Sequence, residues 1–109
     1  MPYLVDGNEL ETDAEGYLLE PDFGEEVVRV IAAAENIELS DAHWQVVGYL
    51  RDEYREHGHT PNFRNMLKGV TALIEGCDSK ALYDLFPTGP AKQGAKVAGL
   101  PQPLGKGGY

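Results

Sequence analysis

The chain has 109 residues, 42% of them hydrophobic and 25% charged, and a net charge of −9 at pH 7. That length suits one domain around a single modest core, over residues 1–109. The acidic balance denies it the basic footprint of a duplex-DNA binder, and no run approaches the ~18 apolar residues a membrane helix needs.

In chain order, Tyr3 to Val5 and Asn8 to Leu10 flank Asp6-Gly7, a dipeptide that favours a two-residue hairpin turn. Tyr17 to Leu19 is a candidate third short strand, so residues 1–20 read as a β-hairpin region. Asp6, Glu9, Glu11, Asp13 and Glu15 lack the order of a calcium loop and read as a solvated acidic face. A helical body follows over residues 23–86. Phe23, Val27, Val30, Ile31 and Ala34 form one stripe of a helix from Phe23 to Asn36. Ser40 caps a second helix ending near His57 at Gly58, with His43, Val46, Val47, Leu50 and Tyr54 inward. Thr60 and Pro61 are expected to open a third as its cap and first residue. Its stripe is Phe63, Met66, Leu67, Val70, Leu73 and Ile74, and Gly76 closes it. A fourth short helix starts at Asp78 or Ser79, buries Leu82, Leu85 and Phe86, and stops before Pro87.

Residues 87–109 differ in kind. They hold no acidic side chain, three lysines, four of the seven prolines and six of the thirteen glycines. Such a mixture suits an arm lying on a surface better than a packed element. Only Ala91 to Ala98 offers a helix, begun at Pro90 and ended by Gly99.

The block Leu85 to Pro103, LFPTGPAKQGAKVAGLPQP, resembles the C-terminal signature of the DsrC/TusE family of sulfur-relay proteins. The likeness extends to GNELETDAEGYL near the start, HWQVVGYLRDEY in the middle and the TPNFRNMLK stretch. The resemblance implies a mostly α, α+β fold: a small orthogonal helical bundle with an N-terminal β-hairpin, a helix-turn-helix-like centre and a flexible C-terminal arm. It implies a persulfide-carrying cysteine at the penultimate position of the arm and, in DsrC proper, a second cysteine eleven residues upstream. Those positions align with Lys106 and Ala95. The scaffold matches and the carrier residues depart from it.

That departure orders the candidate sites. No catalytic residue is assigned. Cys77 is the only thiol, set between Glu75 and Asp78 with Lys80 as its one nearby cation, and reads as a loop thiol more than a sulfur carrier. Partner binding is assigned to Arg64 and Lys68, one turn apart on the third helix, and to Lys92, Lys96, Gly99, Leu100, Pro101, Pro103 and Lys106 along the arm. The resemblance places the matching basic positions near the returning arm. His43, His57 and His59 form no metal signature, and no metal or cofactor is expected. Asn62, Arg64, Asn65 and Lys68 are conceivable groove readers of a helix-turn-helix, against which the sparse positive charge argues.

The resemblance implies partners of two kinds, TusBCD- or DsrEFH-like sulfur donors and DsrAB-like acceptors, on routes to sulfite reductase or to tRNA 2-thiolation. The leading expectation is a non-catalytic paralogue that binds these partners or regulates them. A sulfurtransferase-type carrier using Cys77 or a cysteine lost from the arm is the alternative, and a DNA-binding regulator is the third. One cysteine permits no internal disulfide, and Met1 to Asp6 lacks a signal-peptide pattern, so a cytoplasmic monomer is expected.

Overall fold

The computed structural model describes residues 3–102. Two strands, β1 (Tyr3–Val5) and β2 (Asn8–Leu10), precede five helices: α1 (Glu25–Ala34), α2 (Asp41–His57), α3 (Phe63–Leu73), α4 (Ser79–Leu85) and α5 (Pro90–Val97). This is the expected mostly helical bundle with an N-terminal hairpin. Among the described residues no helix is long and apolar enough to cross a membrane.

The strands pair antiparallel, Tyr3 with Leu10, Leu4 with Glu9 and Val5 with Asn8. Asp6 (φ 51°) and Gly7 (φ 81°) both take positive φ, as a type I′ turn requires. The third strand reduces to one bridge, Thr12 with Leu18. The Asp13 carboxylate explains why: it accepts from the Glu15 and Tyr17 amides at 2.9 and 3.0 Å and curls the chain. Tyr17 and Leu18 are buried behind that turn.

Helix α1 starts two residues later than its apolar stripe suggests. Phe23 lies outside it, because the Asp22 carboxylate accepts from the Gly24 amide and the carbonyls of residues 22–24 turn away to another partner. The buried face is Val27, Val28, Ile31 and Ala32, rotated from the expected stripe so that Ala34 is exposed. Asn36 (φ 60°) ends the helix, with the Ile37 amide donating to Ala32 O at 2.8 Å.

Helix α2 follows expectation at both ends. Ser40 and His43 form a capping box and Gly58 (φ 78°) closes the C-terminus. His43 also reaches Leu85 O through Nε2 at 2.8 Å, with Phe86 edge-on at 5.2 Å. A carbonyl only accepts, so Nε2 carries the proton and Nδ1 accepts from Ser40. One imidazole therefore ties the start of α2 to the end of α4.

Helix α3 is capped by Asn62, whose side chain accepts from the Asn65 amide at 2.9 Å, not by Thr60. Thr60 and Pro61 are buried in the connection instead. The helix stops at Leu73, before Gly76, and leaves Leu73 51% exposed. Asp78 caps α4, which buries Leu82, and the adjoining Phe86 is fully buried.

Helix α5 corrects the reading of its Pro- and Gly-rich sequence as surface-bound. It packs against α1, α2, α3 and α4, with Ala91, Gln93, Ala95 and Val97 buried. Small side chains make this central position accessible. A Cβ on Gly94 would stand 3.0 Å from Leu50 Cδ1 and 3.6 Å from Met66 Cε, so glycine allows the close approach. The core continues past the helix through Ala98 and Leu100, both fully buried.

Candidate functional site

One buried cation, Arg51, gathers backbone carbonyls at the point where the chain leaves α5. The helix ends in a Schellman motif: Leu100 N–H donates to Ala95 O and Gly99 N–H to Lys96 O, both at 3.1 Å, with Gly99 at φ 77°. Leu100 seats the turn in the core. The backbone is thereby aimed at one exit, Pro101 and Gln102, where the Gln102 amide donates to the Glu15 carboxylate.

Arg51 of α2 holds this exit. Its Nε donates to Ala98 O at 2.8 Å, Nη1 to Phe23 O at 2.7 Å, and Nη2 to Asp22 O at 3.0 Å and Gly24 O at 2.8 Å. The Asp22 amide donates to Gly99 O at 2.8 Å and closes the ring. Phe23 stacks beneath, its ring 5.8 Å from the Arg51 guanidinium and 4.3 Å from that of Arg55. Burial pushes the Arg51 pKa down, Asp22 and Glu25 oppose that, and Arg55 adds to it. Arginine stays charged through such a shift. A fixed cation thus pins three carbonyls before α1 and one after α5.

A second group of contacts holds the other side of α5. Gln93 Nε2 donates to Glu35 Oε1 at 3.1 Å while its Oε1 accepts from the Thr88 amide. Lys96 Nζ lies 3.6 Å from Glu35 Oε2 and 5.1 Å from the centre of the Tyr17 ring. The Tyr17 hydroxyl donates to Lys92 O at 3.2 Å. Burial, followed by Glu15, Asp13 and Glu35, pushes the Tyr17 phenol up to about 12.

The assigned residues therefore fall into distinct groups. Lys92 is exposed on the first turn of α5, Pro101 is half-buried at the exit, and Lys96 is turned inward to Glu35. Leu100 and Gly99 are buried and serve the turn, not a partner-facing surface. Pro103 and Lys106 lie outside the described residues. Arg64 and Lys68 are exposed and, at 100° per residue, sit on the face of α3 opposite Met66 and Val70, away from the side that meets α5. Ala95 is fully buried.

Cys77 is 4% exposed in the α3–α4 connection, and its carbonyl accepts from the Thr71 hydroxyl at 2.9 Å. Burial first, and Asp78 second, push its thiol pKa up, which opposes thiolate formation. His43 is fully engaged between Ser40 and Leu85, and Asn62 is spent as a cap. Of the conceivable groove readers, Asn65 also receives the Tyr49 hydroxyl on its carbonyl, at 3.5 Å. The residue that sequence reasoning missed is Arg51. Its one signal is a cation adjoining Leu50 on the apolar side of α2.

The comparisons with known proteins agree with this architecture. The family model described as DsrC like protein matches residues 4–105. The chain is 46% identical over 103 residues to the sulfurtransferase TusE homolog of Haemophilus influenzae, covering 91% of this chain and 94% of that one. It is 45% identical over 104 residues to sulfurtransferase TusE of Escherichia coli, covering 93% and 95%. Among solved structures, DsrC of Allochromatium vinosum superposes with a TM-score of 0.86 at 41% identity, over 95% of this chain and 96% of that one. The oxidized gamma-subunit of the dissimilatory sulfite reductase (DsrC) from Archaeoglobus fulgidus gives 0.86 at 34% identity, over 96% and 98%. Matched along nearly its whole length in sequence and in fold, the chain belongs to the DsrC/TusE family of sulfur-relay proteins.

Proposed function

We propose that this chain docks onto sulfur-relay proteins without itself carrying sulfur, as a binding or regulatory member of its family. Relay by a carrier requires a thiolate that attacks the sulfane sulfur of a donor persulfide, takes that sulfur and releases the donor thiolate. The observation that carries the reading is the state of the one thiol. Cys77 is buried and its pKa is raised, so it offers little of the nucleophilic form. Ala95 and Lys106 occupy the positions where the family's cysteines align, and neither a methyl group nor an amine holds a sulfane sulfur.

Docking keeps the parts of the scaffold that remain. The Schellman turn, Arg51 and Asp22 deliver the tail at a fixed place, with Gln102 exposed beside it and Lys92 exposed on the first turn of α5. The proposed partners are TusBCD- or DsrEFH-like donors and DsrAB-like acceptors, engaged through Lys92, Pro101, Pro103 and Lys106, with Arg64 and Lys68 as a separate cationic contact. On such partners the chain acts as competitor, adaptor or sensor.

Intact-mass spectrometry after exposure to polysulfide or a persulfidated donor tests this. The native chain gains no reducible sulfur, whereas Lys106→Cys gains whole sulfur atoms that a thiol removes. Loading of the native chain that disappears in Cys77→Ser refutes the reading and restores a carrier. In a pull-down, equal capture of relay proteins by the intact chain and by one lacking residues 103–109 refutes docking through the tail.

A further inference from the structure

The N-terminal part holds a groove of about 490 Å³, lined by Glu9, Leu10 and Glu11 of the hairpin region and by Leu18, Leu19, Glu20, Pro21 and Asp22 of the segment ahead of α1. Leu18, 2% exposed, and the half-buried Leu10 make its floor apolar. Leu19 stands 59% exposed on its lip. Leu4, 64% exposed, lies directly across the hairpin from Glu9 and so shares that residue's face. These are the two most exposed large apolar side chains among the described residues; Leu19 lines the groove and Leu4 stands beside Glu9, which lines it too. Paired exposure of this kind marks an interaction surface more than scattered single apolar residues do.

The charge around the groove is of one sign. Glu9, Glu11 and Glu20 are exposed, and none forms an ion pair among the described residues. Residues 1–38 hold eleven acidic side chains and one cation, Arg29, which is already paired with Glu25 and Glu26. The protein supplies an apolar trough with a carboxylate rim and leaves the countercharge to be brought from elsewhere.

We propose that this groove docks a short extended segment of another protein, in which apolar side chains alternate with Lys or Arg. In an extended segment alternate side chains point to opposite sides, so one set enters the trough while long cationic chains bend to the rim. The chain's own residues 103–109 fit less well, since they bring one lysine, Lys106, to three rim carboxylates. A second copy fits poorly too, because each carries a net charge of −9. This surface adjoins the exit of the tail at Asp22, whose amide meets Gly99, and deletion of the tail distinguishes the two occupants.

The test is an amide-resolved NMR titration with a capped hexapeptide alternating lysine and leucine. Expected are saturable shifts confined to residues 9–11 and 18–22, lost when serine replaces leucine in the peptide. Leu19→Ser, and separately the combination Glu9→Gln, Glu11→Gln and Glu20→Gln, each weaken binding about tenfold or more, equivalent to ~1.4 kcal/mol. If Leu19→Ser lowers the thermal midpoint, Leu4→Ser, beside Glu9, gives the same readout. Shifts spread over the whole acidic surface, equal binding by the lysine–serine peptide, or unchanged affinity in both leucine variants overturn the proposal. So does the appearance of binding only after residues 103–109 are deleted, which assigns the groove to the tail, or concentration-dependent self-association perturbing the same amides. None of these outcomes alters the sulfur-loading result.

Discussion

Replacing Arg51 with methionine tests whether the guanidinium holds the ends of the helical body together. The substitution keeps most of the side-chain volume and removes five N–H donors, leaving four carbonyls to find other partners. A hydrogen bond to a charged group contributes about 1.5–3 kcal/mol, so full additivity would give an implausible ~6–12 kcal/mol. Exposure decides the discount. Phe23 and Gly24 are exposed residues and Asp22 is half-buried, so their carbonyls regain water, whereas Ala98 is fully buried and its carbonyl does not. One full loss plus three small ones gives about 3 kcal/mol. For a domain of this size that lowers the thermal midpoint by ~12 °C, at roughly 4 °C per kcal/mol. Urea unfolding followed by circular dichroism measures it, and the slope should not change. Arg51→Lys, keeping the charge but not the planar fork, recovers about half of the loss. Native-state hydrogen exchange supplies the local readout: the Asp22 and Leu100 amides exchange faster in Arg51→Met, beyond the global destabilisation. A loss under ~1 kcal/mol, within the range of an ordinary surface change, refutes the argument that Arg51 holds these segments together.

Gly99→Ala strains the same turn by another route. At φ 77° a side chain costs about 1–2 kcal/mol, and the new Cβ would lie 2.5 Å from the backbone oxygen of Asp22, so a loss of ~2 kcal/mol or more in urea unfolding is expected. Tyr17 gives the pH dependence. Its phenol is raised to about 12 in the folded state against 10.0 unfolded, so the neutral, hydrogen-bonded form is the one that folding favours. Its contribution is complete below pH 10 and disappears as pH climbs toward 12, a swing of about 2–3 kcal/mol. Tyr3 and Tyr49 are raised by burial as well, so spectrophotometric titration at alkaline pH should show several delayed phenols, of which Tyr17→Phe removes the one near 12. Cys77 should react with an aromatic disulfide far more slowly in the native protein than in urea; equal rates would disprove its burial.

The elements that read correctly from sequence are those whose instructions are local. Asp6-Gly7 sits between two short apolar strands, Ser40 and His43 stand three apart, and Gly58 terminates α2, so neighbouring residues decide each outcome. Thr60-Pro61 misled because Asn62, two residues on, competes for the same capping role and its amide-accepting side chain wins. Composition misled for α5. Pro90 and Gly99 bound the helix as the sequence indicates, but the surrounding Pro and Gly pointed to a surface position, whereas Gly94 admits Leu50 and Met66 and the helix is buried. Arg51 was illegible for a different reason. Its partners lie 27 to 47 residues away, and no local pattern reports a contact assembled from three distant segments. The cationic positions on α3 could be placed on one helix face from sequence, but only the packing shows which way that face points.

The contacts at Ala98 and Gly99 also determine how the protein bears a load. A partner that pulls on the tail beyond Gln102 does not first unravel α5 turn by turn, because the force passes at residues 98 and 99 into Arg51 and Asp22. From there it divides between the middle of the longest helix and the backbone just ahead of α1. The tail is thus moored to the body at a point with two separate anchorages, and tension applied at its tip is felt at the opposite end of the sequence.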